Sequence, residues 1–160
     1  MKTKGTWMNP RRDSGSSFSR KRLLVGFEAA FEHGLLVIAS LDSEAAHETF
    51  DPLEEAAHLD HDSLYVPVRA AVDGLVKVLV FEEKAPRGLT AGLSLVFDGR
   101  FEADYGVVEL EDASDSIRAR VSLEEDGPPH VRVYRDDAAA EIVVVLGEWS
   151  RQAATMRERA

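Results

Sequence analysis

Residues 64–81 read LYVPVRAAVDGLVKVLVF. Leu64, Val66, Val68, Ala70 and Val72 fall on alternate positions, Asp73-Gly74 follows, and Val76, Val78 and Val80 resume the alternation. Apolar residues at every second position line one face of a strand, and Asp-Gly is a pair suited to a two-residue hairpin loop. The stretch reads as a β-hairpin with a buried face. Leu75, Leu79 and Phe81 make the other side of its second strand apolar as well, so that strand is expected to be covered on both faces. Pro67 lacks a backbone donor, which places the first strand at a sheet edge or at a bulge.

The same grammar extends in both directions. Upstream, residues 23–31 and 35–41 read as two strands joined by a short connection ending in Gly34, with a helix over 23–32 as the competing reading because Phe27 and Phe31 are four apart. Downstream, Leu93, Leu95 and Phe97 lead through Asp98-Gly99 to Phe101, Ala103 and Tyr105, a second expected hairpin. A short strand follows at 107–110. Ile117, Ala119, Val121 and Leu123 then alternate with Arg118, Arg120 and Ser122, a half-exposed strand. Val131 and Val133 begin another, and the continuous run 142–146 is expected to lie centrally, covered on both faces. Ten short strands with regular turns imply an all-β fold, an antiparallel β-sandwich of Greek-key or jelly-roll type, with a partly closed barrel as the alternative.

Three segments depart from this pattern. Residues 1–21 have Gly, Ser and Arg in place of apolar periodicity and read as a flexible basic tail. Residues 42–62 are one irregular insertion in which Asp51, Pro52, Glu54 and Glu55 suggest a short helix running to Leu59, with His58 near its C-terminal end. Residues 150–160 read as a C-terminal tail or brief helix. Residues 22–149 are then a single domain, a size that buries a core without disulfide staples. Trp7 and Trp149 flank the strands; docking against the sandwich is expected of Trp149.

The net charge of −10 hides a split. Seven Lys or Arg against the single Asp13 make residues 1–22 basic, whereas residues 23–147 hold nine Lys or Arg against twenty-six Asp or Glu. The folded part is strongly acidic, which repels nucleic acid and anionic membrane and steers the domain toward basic partners. No stretch approaches the ~18 uninterrupted apolar residues of a membrane helix. With no cysteine in the chain, disulfides and thiolate chemistry are excluded and a reducing compartment is allowed; the cytoplasm is the expected location.

Chemistry has two candidate locations. His47, His58 and His61 lie among carboxylates in the insertion, a composition that suits a metal shell, with His58 and His61 spaced to share a helical face. A solvated acidic loop with ordinary histidines is the competing reading. Arg118, Arg120 and Arg132 form the second candidate: if their strands pair, the guanidinium groups converge and need an anionic ligand or internal carboxylates such as Glu109, Glu111 or Asp136. Ser94, Ser114, Ser116 and Ser122 have no histidine placed by sequence to activate them. No motif implies a cofactor or assigns a catalytic residue.

These readings favour a non-enzymatic acidic protein-binding module, an inhibitor or immunity-type partner of a basic protein. The alternatives are a metal-dependent or carboxylate-based hydrolase using residues 47–62, and a carbohydrate or small-ligand sandwich using Tyr65, Tyr105 and Tyr134. An edge strand carrying Pro67 leaves room for a homo-oligomer. Contact with nucleic acid is expected only through the basic tail, and contact with membrane not at all.

Overall fold

The structure is a computed structural model that describes residues 22–114, 116–123 and 128–147. The expectations for the basic tail, for residues 150–160 and for Trp7 and Trp149 lie outside these residues. Ten strands form in chain order: β1 (Arg22–Ala29), β2 (Leu35–Ser40), β3 (His58–Asp60), β4 (Ser63–Pro67), β5 (Val76–Glu82), β6 (Ser94–Arg100), β7 (Val107–Asp112), β8 (Ile117–Ser122), β9 (His130–Arg135) and β10 (Glu141–Leu146). They make two five-stranded sheets. The first has the order β1-β5-β10-β9-β6 and the second β3-β4-β2-β7-β8.

The all-β sandwich is as expected, and its core follows from the period-two pattern. Val76, Val78 and Val80 of β5, Ile142, Val144 and Leu146 of β10, and Val131 and Val133 of β9 face inward from the first sheet. Leu36 and Ile38 of β2, Leu64 and Val66 of β4, and Val108 and Leu110 of β7 meet them from the second. Strand β10 is central and buried along its apolar run because its odd-numbered residues are covered too: Val143 and Val145 join Phe81 under Leu79, Leu89, Leu93 and Tyr134 on the outer face of the first sheet. Residues 22–29 are strand rather than helix, paired antiparallel with β5.

Several local expectations fail, each for a physical reason. Residues 64–81 are not a hairpin. Strand β4 lies in the second sheet and β5 in the first, so the chain crosses the sandwich between them. Past Pro67 it leaves the ladder and is tied elsewhere, with Val68 N–H donating to the Gly34 carbonyl, Arg69 N–H to Ala139 and Ala71 N–H to Phe31. Ala71–Asp73 then form a 3-10 turn and Gly74 takes φ 128°, ψ −177°, a conformation open to glycine but foreign to the two-residue hairpin turns. Likewise β1 and β2 are strands, but in opposite sheets.

Asp98-Gly99 is also not a turn, and residues 101–105 form no strand. Both residues of the pair lie within β6, opposite Arg132 and Val131 of β9. Glycine there leaves space for a neighbouring ring: a Cβ at Gly99 would stand 2.9 Å from Cζ of Phe97, so a larger residue would require that ring to shift. The expected helix in the insertion stops after one turn. The Asp51 carboxylate accepts the Leu53 N–H at 3.0 Å and the Asp51 carbonyl accepts from Glu54 and Glu55, but His58, Leu59 and Asp60 pair with β4 instead of continuing it. Finally, β10 runs parallel to β5, the one departure from the antiparallel pattern among the described strand pairs.

Val78 is fully buried between Phe27 of β1 and Ile142 of β10. Val78→Asp places an unpaired carboxylate in the core, a cost above ~4 kcal/mol. Calorimetry is expected to show no cooperative melting transition for this variant.

Candidate functional site

Outward-facing residues of β2 and β4 decide where the site lies. Val37 and Ala39 of β2 are buried although they alternate with the core residues Leu36 and Ile38, and Ser63 beside them in register is buried at 3% exposure. Something covers this outer face of the second sheet, and it is the insertion. His47 is its anchor, buried at 5% exposure, with φ +53°. Its ring stacks on Tyr65 at 3.6 Å between centroids, 10° from parallel. Its backbone N–H donates to Asp60 Oδ2 at 3.0 Å.

Both ring nitrogens of His47 are engaged. Nδ1 lies 2.9 Å from Nδ1 of His58, and Nε2 lies 2.9 Å from the Ser63 hydroxyl. His58 in turn meets Thr49 Oγ1 at 3.2 Å through its own Nε2. Phe50 packs edge-on against Tyr65, and the Ser43 hydroxyl donates to Asp62 Oδ1 at 2.6 Å. Burial pushes the His47 imidazole below the usual histidine value; the neighbouring His58 pushes the same way and Asp60 opposes. The Asp60 carboxyl is held below the usual range, chiefly by the His47 backbone N–H.

The insertion is therefore fastened rather than merely solvated. Of the three histidines grouped by sequence, His47 and His58 touch while His61 is 88% exposed beside Asp60. No group of three His, Asp or Glu among the described residues is arranged to hold a metal ion. Ser63, His47 and His58 do form a hydroxyl–imidazole–imidazole chain, but Ser63 is covered by the insertion, so the chain serves to hold the loop. Sequence reading missed Thr49, Phe50 and Ser63; the signal lay in Phe50 and Tyr65, two aromatics close to histidines in an otherwise acidic stretch.

The surface of this layer is acidic. Residues 23–68 contain ten Asp or Glu and no Lys or Arg; the chain has 29 acids and 19 bases in all, so the remainder carries 19 of each. Eight of those ten acids lie in residues 42–62, and Asp42, Glu44, Glu48, Asp51 and Glu54 are exposed. The molecule's net charge thus originates in one segment.

The three arginines are not brought together. Strand β8 belongs to the second sheet and β9 to the first, so Arg118 and Arg120 do not meet Arg132 across a ladder. Arg120 donates through Nε to buried Glu109 at 2.8 Å, and Arg118 donates to buried Asp112 at 2.8 Å and to the Ala30 carbonyl at 3.2 Å. Arg132 donates to the Tyr134 hydroxyl at 3.1 Å. Burial alone pushes the Asp112 carboxyl up; hydrogen bonds from Ser114, Ser116 and Arg118 outweigh it and hold the group below its usual range. Tyr65 and Tyr134 likewise lie on different sheets.

These features define a two-sheet β-sandwich with an acidic layer on one face. No protein-family model and no curated protein sequence matches the chain. The fold is similar to that of ComJ from Bacillus subtilis, whose crystal structure is described as that of an inhibitor of the DNA degrading activity of NucA. The two superpose with a TM-score of 0.59 over 79% of this chain and 96% of ComJ, at 10% sequence identity. At that identity the likeness shows the fold alone.

Two outcomes test the geometry of the paired acids. Arg120→Ala removes the donor to a buried carboxylate while leaving Glu109 in place, and is expected to destabilise by about 1–2 kcal/mol in denaturant unfolding, moderated because the arginine is half exposed. Asp112, with its lowered carboxyl, contributes stability that is present above about pH 3.8 and lost as pH falls through its folded value. Asp112→Asn is expected to lower neutral-pH stability by about 1.5–3 kcal/mol and to flatten the acid limb of the stability curve.

Proposed function

We propose that this protein is a non-enzymatic binding module whose acidic insertion face occupies a basic site on a partner protein, as an inhibitor or immunity-type protein does. The observation that carries this reading is the charge segregation: ten acids without one lysine or arginine over residues 23–68, most of them in a layer fastened to the second sheet. Carboxylates held on a supported surface lose less freedom on binding than carboxylates on a loose chain. Their shared field speeds encounter with a cationic partner and does so less as salt rises.

A protein that degrades or binds nucleic acid offers the matching surface, because neutralising phosphates requires a cleft of lysine and arginine. The likeness in fold to ComJ, an inhibitor of the DNA degrading activity of NucA, supports this class of partner. The hydrolase alternative has less support. It requires a concave site with convergent polar groups, whereas His47 and Ser63 are buried where the insertion meets the second sheet and His61 is exposed on the surface.

The test compares the wild type with a Glu44→Lys, Glu48→Lys, Glu54→Lys triple variant as bait in host extract at low and high salt. A stoichiometric basic protein retained by the wild type at low salt, released at high salt and not retained by the variant is expected. Its DNA-cleaving activity, assayed in isolation, should fall when the wild type is added back. Equal retention by both baits would contradict the proposal.

A further inference from the structure

The fastening of the insertion depends on two imidazoles in direct contact. With His47 Nδ1 and His58 Nδ1 2.9 Å apart, one nitrogen must carry a hydrogen and the other must offer its lone pair. The Ser63 and Thr49 hydroxyls on the outer nitrogens rotate to donate or accept, so they tolerate either tautomer. The pair can also hold one extra proton, because an imidazolium still donates to a neutral imidazole. It cannot hold two. With both rings protonated, two N–H groups and two positive charges face each other where His47 is buried.

A second, independent feature shows where His58 would turn. Glu55 Oε1 is buried and, among the described residues, has no hydrogen-bond partner, yet it lies 3.8 Å from His58 Nε2. An unsatisfied carboxylate oxygen beside an imidazole edge becomes an ion-pair acceptor once that imidazole is charged. The other groups facing the pair are Asp60, which accepts the His47 backbone N–H, the Tyr65 ring stacked on His47, and Phe50 against His58. Asp60 tolerates the first proton, and none of these groups relieves the N–H to N–H conflict produced by the second.

We propose that His47 and His58 form a proton-operated clasp that fastens residues 41–57 to the second sheet at neutral pH and releases them when both imidazoles are protonated. Release places both rings in water, where histidine titrates near about pH 6.5. The fastened state accepts at most one extra proton and the released state two. The sign follows: stability of the fastened state is full above about pH 6.5 and is lost as pH falls, with the released population rising by up to about tenfold per pH unit. Burial of His47, which already disfavours its charged form, acts in the same direction. The inference stands on the geometry of this chain alone and does not require the acidic face to bind a basic protein.

Hydrogen exchange followed by mass spectrometry on the free full-length protein tests it at pH 7.5 and 5.5, after correction for the pH dependence of intrinsic exchange. Peptides covering residues 43–57 are expected to lose protection by about tenfold or more at pH 5.5, while peptides of β10 keep theirs. In His58→Gln the pH dependence of residues 43–57 should be clearly weaker than in the wild type, because only the burial of His47 remains to oppose protonation, and in His61→Gln it should persist undiminished. Equal protection of residues 43–57 at both pH values in the wild type would overturn the proposal, as would a loss shared equally by β10. So would a pH dependence as large in a folded His58→Gln as in the wild type. The wild-type comparison decides the matter even if that variant fails to fold.

Discussion

A sheet that is apolar on both sides cannot stand at a surface, and this constraint on β2 organises the second sheet and the insertion packed on it. Leu36 and Ile38 face the core while Val37 and Ala39 face outward, and both sets are buried. The outward set needs a cover that is not itself a strand or helix of the core. Residues 41–57 supply it, and a cover made of irregular chain has few backbone ladders to hold it. Side chains must do so instead. A buried imidazole suits the task because each nitrogen demands a partner, and His47 finds partners on β3 and β4 at once.

That fastening makes the charge distribution tolerable. Eight acids within residues 42–62 repel one another, and a loose segment of such composition would expand away from the body of the protein. Stacking of His47 on Tyr65, the Phe50 contact and the Ser43–Asp62 hydrogen bond offset the repulsion at several points. The result is a supported acidic surface. Arg118 and Arg120 are held by Asp112 and Glu109, and the excess of acid over base lies in residues 23–68, most of it in the insertion.

Strand identity was largely legible in the sequence, and pairing was not. Period-two alternation depends only on which face is buried, so Val76, Val78 and Val80 announce a strand wherever it is placed. The partner of a strand depends on the connection, and Asp-Gly served two different ends here. Gly74 turns a crossover between sheets, and Gly99 makes room for Phe97 inside a strand. Both resemble hairpin turns in one dimension. The arginine row dissolved for the same reason, since Arg132 lies on a sheet that sequence adjacency did not distinguish from that of Arg118 and Arg120. At the insertion, acidic composition pointed correctly to a separate element but masked a buried histidine. Nothing local to residue 47 reveals that Ser63 and Tyr65 lie beneath it; that contact exists only once β2 and β4 have paired.

We propose that the fastened acidic layer is the surface through which this protein acts. Carboxyl footprinting of the protein with and without its captured basic partner tests it most directly, because labelling reads each acid individually. Protection concentrated on Asp42, Glu44, Glu48, Asp51 and Glu54, with Asp98 and Glu102 labelled as in the free protein, is the predicted result. Unchanged labelling across residues 42–62 with protection elsewhere on the sandwich would contradict the account.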